Sequence, residues 1–228
     1  MTVLAIGAHP DDIELGCAGA LLAHRRAGER VWLLVMSAGT AGGPSALRRS
    51  EQAIVARRLD AELLWGGFED CAIPDGRAAV EVIEDALALS GARIVYTHAQ
   101  RDAHQDHRNV ASATLSAARN LTTVLGYETP SSIDFAPNTF VSIDGYVEAK
   151  LALVGAHASQ VQRCERVDLD VVAAQARTRG HLARLRFAEG FEATRLEMVI
   201  GEVVPDAADY SSMSTLQLNA NHAPVQAR

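Results

Sequence analysis

The sequence predicts an α/β protein with a Rossmann-like, mostly parallel sheet covered by helices on both faces. Three observations predict it. Short apolar runs alternate four times with segments of helical apolar spacing in the first half of the chain, the pattern of successive βαβ units. A length of 228 residues suits one ordinary α/β domain. A composition of 48% hydrophobic and 21% charged residues is that of a folded chain with a sizeable core.

Val3 to Ala8 is the first strand-like run, and Glu14 to Arg26 places Leu15, Ala18, Leu22 and Ala23 on one helical face. Val31 to Met36 reads as a second strand, followed by a small-residue loop (Ser37 to Ser45) and a helix from Ala46 to Leu59. Glu62 to Trp65 is a short strand, Val80 to Leu89 a helix, Arg93 to Tyr96 a fourth strand, and Asn109 to Asn120 a helix. Further on, Thr123 to Tyr127 and Thr139 to Ile143 read as strands around a loop marked by Pro and Ser. Tyr146 to Gln162 and Val167 to Arg186 read as helices, and Leu196 to Val203 as a β-branched final strand. One domain is expected over residues 1–204. The polar stretch 205–228 reads as a tail, either disordered or an arm ordered on a neighbouring subunit.

Composition excludes several functions. A net charge of −7 argues against a broad basic face for nucleic acid, and 5% aromatic residues argue against stacking platforms for single strands. Cys17, Cys71 and Cys164 are odd in number, scattered and without a CxxC pair, which reads as reduced thiols. The start, MTVLAIGAHPDD, has no cationic segment before its apolar run, and no apolar stretch approaches the ~20 residues of a membrane span. The expected location is the cytoplasm.

Chemistry concentrates in two segments. Ala8-His9-Pro10-Asp11-Asp12-Ile13-Glu14 falls where the first strand meets the first helix, and open α/β sheets gather ligands at the carboxyl ends of their strands. A dinucleotide fold would carry GxGxxG there; Gly7, Gly16 and Gly19 have the wrong spacing. Acids capping a helix would by themselves explain Asp11 and Asp12. The second segment, Thr97-His98-Ala99-Gln100-Arg101-Asp102-Ala103-His104-Gln105-Asp106-His107-Arg108, follows the fourth strand. His104 and His107 are three apart, so at a helix start both face the same way. Two His and one carboxylate form a ligand set for a catalytic metal with an open position.

AHPDDIELGCAG and DAHQDHR resemble the two signature motifs of the PIG-L/LmbE-like zinc-dependent N-deacetylases. Arg48-Arg49-Ser50-Glu51 is similar to that family's Arg-x-x-Glu helix start, Lys150 through His157-Ala158-Ser159-Gln160 to its "K…AL…H-x-SQ" helix, and Phe187 to Phe191 to its "YAEAF" segment. The resemblance runs from Val3 to about Val204. One departure is visible: Ser37-Ala38-Gly39-Thr40 lacks the acid of the family's T-x-G-E.

The resemblance implies zinc held by His9, Asp12 and His107, a set that would also hold Fe(II) or Co(II). It implies Asp11 as general base, and His104 as general acid or carbonyl-polarising group. Asp106 would hydrogen-bond His104 and set its protonation. Arg48 would grip a sugar hydroxyl or a phosphate, with Arg49 as the fallback in register. The implied reaction removes the N-acetyl group of an N-acetylglucosamine-type conjugate, releasing acetate and a free amine. The runner-up readings are an amidase for a larger amide such as a thiol conjugate, a catalytically silent sugar-binding relative, and a nucleotide-binding regulator. Relatives of this kind often form homo-oligomers, as trimers or hexamers.

Other residues have plainer readings. Cys17 is a small packed residue. His98 either lines the pocket or is a buried core histidine, and the same choice holds for His157. Asp70 and Asp75 are substrate contacts or turn residues, and His24, His181 and His222 read as surface.

Overall fold

The computed structural model describes residues 1–161 and 167–198. The first half runs β1 (Thr2–Gly7), α1 (Asp12–Arg26), β2 (Arg30–Ser37), α2 (Ser45–Leu59), β3 (Glu62–Phe68), α3 (Arg77–Ser90), β4 (Ile94–His98) and α4 (Gln105–Ala117). The second half runs β5 (Thr123–Tyr127), β6 (Thr139–Ser142), α5 (Val147–Val154), α6 (Ala158–Val161), α7 (Leu169–Leu182) and β7 (Ala188–Arg195). The strands form one sheet in the order β3-β2-β1-β4-β5-β7-β6. β1 to β5 pair in parallel, whereas β7 is antiparallel to both β5 and β6.

Alternation along the buried strands sorts the helices onto two faces. Val3, Ala5, Val31, Leu33 and Val35 meet Ile13, Cys17 and Leu21 of α1 and Val55 and Leu59 of α2. Leu4, Ile6, Leu34 and Met36 meet Ala79 and Ile83 of α3 and Val110 of α4 on the other face. The predicted doubly covered parallel sheet is therefore the observed one. Cys17 is packed in this core.

The strand order places the site. From β1 the chain winds outward to β2 and β3, then returns to β4 on the opposite side of β1 and continues to β5. The order reverses between β1 and β4, and a crevice opens at their carboxyl ends at such a switch point. Both chemistry-bearing segments leave the sheet there.

The second half departs from expectation in two places. The helix expected over Tyr146 to Gln162 is interrupted at Gly155–His157. The break lets His157 turn inward to Glu14 (3.1 Å) and Ser159 reach the Glu51 carboxylate through its N–H (2.8 Å). The last described strand is Ala188–Arg195, not one beginning at Leu196; residues 199–203 of the expected strand, the tail 205–228, Cys164 and His222 lie outside the described residues. AEGFEATR has weak β propensity, and tertiary contacts override it. The buried Glu189 carboxylate accepts the N–H groups of Gly19 and Ala20 in α1 and pairs with Lys150 at 2.6 Å.

Candidate active site

The turn from β1 to α1 is bent at Asp11, whose φ of 99° lies in the left-handed region. A non-glycine residue there stores roughly 1–3 kcal/mol of strain and persists where its surroundings demand it. The bend sends two adjacent carboxylates to different places. Asp12 Oδ2 accepts the backbone N–H of His9 at 2.7 Å, and Asp12 Oδ1 lies 3.4 Å from His107 Nε2. Asp11 caps α1 by position, without a side-chain capping bond, and its Oδ1 instead accepts from Arg48 Nη2 at 3.1 Å.

Each ligand-type imidazole turns one nitrogen to Asp12 and has the other held by an acid. His9 Nδ1 is 3.3 Å from Asp12 Oδ2, and its Nε2 lies 3.0 Å from Asp70 Oδ1 and 3.2 Å from Asp106 Oδ2. His107 Nδ1 lies 3.2 Å from Asp102 Oδ2 and 3.3 Å from Ser131 Oγ. Outer carboxylates of this kind fix ring orientation and tautomer around a metal. The donor atoms of His9, Asp12 and His107 lie within 4.8 Å of one another, and all three residues are buried. This set fits a divalent cation with an open position toward the cavity.

Three other groupings among the described residues meet the same spacing, and their acids are likewise held by backbone amides. Asp106 accepts the N–H groups of Cys71 and Ile73, Asp70 accepts that of Ala41, and Asp102 accepts that of His104.

Charge follows the geometry. Burial alone would raise the Asp12 carboxyl, yet His107 and His98 hold it well below its ordinary value. Burial would lower His107, but Asp12 and Asp102 lift it to about 9. These are the protons that a bound cation displaces. Asp11 behaves differently. Burial and then the neighbouring Asp12 charge push it up to about 7, with Arg48 pulling the other way.

A cavity of about 710 Å³ opens over this cluster, lined by His9, Asp11, Asp12, Arg48, His104 and His107 among others. His104 caps α4, and its Nδ1 accepts the backbone N–H of Asp106 at 3.2 Å. In the neutral ring the proton therefore sits on Nε2. Its ring stacks on His107 with centroids 4.7 Å apart, as the three-residue spacing predicts.

The pairing expected between the Asp106 carboxylate and His104 is corrected by the structure. Asp106 reaches His9 instead, because its two oxygens are drawn inward by the amides of Cys71 and Ile73. The net shift of His104 is downward: burial, then the neighbouring His9 and His107, lower its pKa, while the Asp106 charge pulls weakly the other way. Asp106→Asn should therefore weaken binding of a divalent cation at this site by ~10–100-fold, the usual effect of losing an outer partner. Competition against a chromogenic chelator measures it, and unchanged affinity would return Asp106 to His104.

Arg48 lines the cavity from α2 and is buried. Its Nη1 donates to Gly39 O at 2.8 Å and its Nη2 to Pro10 O at 2.5 Å and to Asp11. Gly39 has φ +64°, and a Cβ there would fall 2.0 Å from Arg48 Nη1. This close approach accounts for the small residues of the loop. Arg49 lies over Trp65 at 4.2 Å.

Asp102 was missed as a site residue, although it stands in the same D-A-H-Q-D-H run. The rule that a ligating imidazole needs an acid on its second nitrogen is the signal for it. Asp70, open between two readings, is an imidazole partner of His9. His157 is a buried partner of Glu14, not a lining residue. His24, expected at the surface, is half-buried between Glu29 and the Tyr96 hydroxyl.

A parallel α/β sheet with two imidazoles and a carboxylate converging at its switch point defines a protein equipped to hold a divalent cation beside a substrate cavity. Residues 4–118 match the PIG-L family, described as GlcNAc-PI de-N-acetylase. The chain belongs to this family. It is 36% identical over 167 residues to the uncharacterized deacetylase YaiS of Escherichia coli K12, spanning 69% of this chain and 90% of that one. Two solved structures share the fold. An N,N'-diacetylchitobiose deacetylase from Pyrococcus horikoshii has a TM-score of 0.74 at 22% identity, covering 85% of this chain and 84% of that one. A 4-carboxy-2-hydroxymuconate hydratase from Pseudomonas putida KT2440 has a TM-score of 0.76 at 17% identity, covering 89% and 99%. One fold thus carries two chemistries, and the site has to decide between them. No described helix is long and apolar enough to cross a membrane.

Proposed function

We propose that this chain is a metal-dependent hydrolase that removes the N-acetyl group from an N-acetylglucosamine-type conjugate, with zinc as the metal. The single observation that carries the reading is the division of labour between adjacent acids: Asp12 lies among ring nitrogens, and Asp11 stands on Arg48 at the cavity wall. Metal-assisted amide hydrolysis uses both a cation and a base, and this division provides a place for each.

The cation, held by His9, Asp12 and His107, would supply a Lewis acid and an acidified water. Asp11 takes the proton of the attacking water and passes it toward the departing amine, and its half-raised pKa suits both tasks. His104 directs Nε2–H at the amide carbonyl oxygen and stabilises the charge that develops there. Arg48 aims Asp11 through Nη2 and opposes the rise of its pKa. The sugar class follows the family description and the diacetylchitobiose substrate of the Pyrococcus protein. A cavity of about 710 Å³ has room for more than one sugar ring.

The test is acetate release from a panel of N-acetylglucosamine conjugates by zinc-loaded protein, repeated after chelation and zinc return. Acetate release that falls to background on chelation and recovers with zinc is the expected result. A chelated protein of undiminished rate would sink the metal-dependent reading.

A further inference from the structure

His98 closes β4 with its ring buried, 1% exposed, and it takes no part in lining the cavity. One face of the ring stacks on His107, with centroids 4.0 Å and planes 16° apart, and Tyr127 packs against it at 4.9 Å. Its Nε2 accepts the backbone N–H of Ala8 at 3.0 Å and lies 3.4 Å from Asp12 Oδ2. Ala8 is the first residue past β1 and directly precedes His9. Its carbonyl accepts the Ser37 N–H at 2.9 Å. The peptide that launches His9 is thus pinned between the end of β2 and a side chain of β4.

We propose that His98 is a positioning residue: it registers the turn bearing His9 and Asp12 against the helix bearing His107, and thereby sets the affinity for the divalent metal. The proposal rests on the reading of those three residues as metal ligands.

Side-chain chemistry narrows the position to an imidazole. A phenyl ring would stack on His107 but leave the buried Ala8 N–H without an acceptor. A carboxamide would accept that N–H but present no ring to His107. Only an imidazole meets both demands within this length, and it does so at a visible expense. Nε2 accepts, so the neutral ring carries its proton on Nδ1, and Nδ1 has no hydrogen-bond partner. A buried nitrogen left unpaired in a native core calls for a compensating role. Here that role is a tie between the two halves of the proposed metal site. Asp106 of α4 adds a second tie, reaching His9 Nε2 at 3.2 Å on the side away from Asp12, whereas Asp102 and Ser131 orient His107 alone.

The test compares His98→Phe and His98→Gln with the wild type. Zinc affinity is read by chelator competition, the coordination sphere by the visible d–d spectrum of cobalt-loaded protein, and the scaffold by Tm of the metal-free protein. Phe should weaken zinc by ~10–100-fold, as loss of an orienting partner does, and should change the cobalt spectrum, with the metal-free Tm lowered only by what one unsatisfied buried N–H costs. Gln, which restores the acceptor for Ala8, should recover most of the lost affinity. Wild-type affinity in the Phe variant overturns the proposal, and so does an affinity loss matched by collapse of the metal-free Tm in both variants. If Phe does not fold, Gln decides alone, since a Gln variant as weak as a ligand deletion removes the hydrogen-bond role. Wild-type protein that binds neither zinc nor cobalt refutes the underlying ligand reading instead, so the two failures are distinct.

Discussion

His107→Ala should lose metal and activity together, with kcat at least ~10³-fold down. The proposed donor set has three protein members, and two would leave a weak site. Lewis-acid help is worth several kcal/mol, and each 1.36 kcal/mol is tenfold in rate. The fold should survive the change. Asp102, which loses its imidazole, keeps the Thr129 hydroxyl at 2.8 Å and the His104 N–H at 2.8 Å. Metal content by atomic absorption, beside a thermal melt of the metal-free protein, checks the prediction. Stoichiometric zinc in the folded variant would remove His107 from the ligand set.

Asp11→Asn should keep the metal and lose ~10²–10⁴-fold in kcat, the range for a positioned general base. Asparagine tolerates the left-handed backbone that this position imposes, and its amide oxygen can still meet Arg48. The variant therefore tests the proton-transfer role with little disturbance of the turn. Zinc content and kcat on the same preparation read it out. A variant that loses zinc but not its residual rate per bound metal would exchange the roles of Asp11 and Asp12.

How much of this was legible in the sequence depends on range. The parallel half of the sheet was readable because each strand is a run such as Val31 to Met36 whose apolar pattern is nearly continuous. The two metal-type segments were readable because histidine and acid crowd into short stretches at strand ends. What escaped depends on contacts between distant segments. The Asp106 carboxylate is three positions from neither of its amide partners; Cys71 and Ile73 lie more than thirty residues away and decide where it points. β7 escaped for the same reason: Glu189 looks like a surface residue until Lys150 and α1 surround it. Asp11 shows a third limit, because a pair of identical neighbours carries no local sign of which one the chain will twist aside.

The antiparallel strand β7 also bears on how far the protein could be cut down. Every proposed metal donor lies within residues 4–118, the span that matches the family. An excised fragment of that span would nonetheless be a poor enzyme. It would leave α1 without Glu189, Lys150 and His157, which reach its backbone and Glu14 from beyond position 118. It would also bare the flank of β4 that β5 now covers, an open ladder inviting another chain to add itself. The recognisable half holds the reagents; the less recognisable half is the vessel that keeps them apart from other molecules and still.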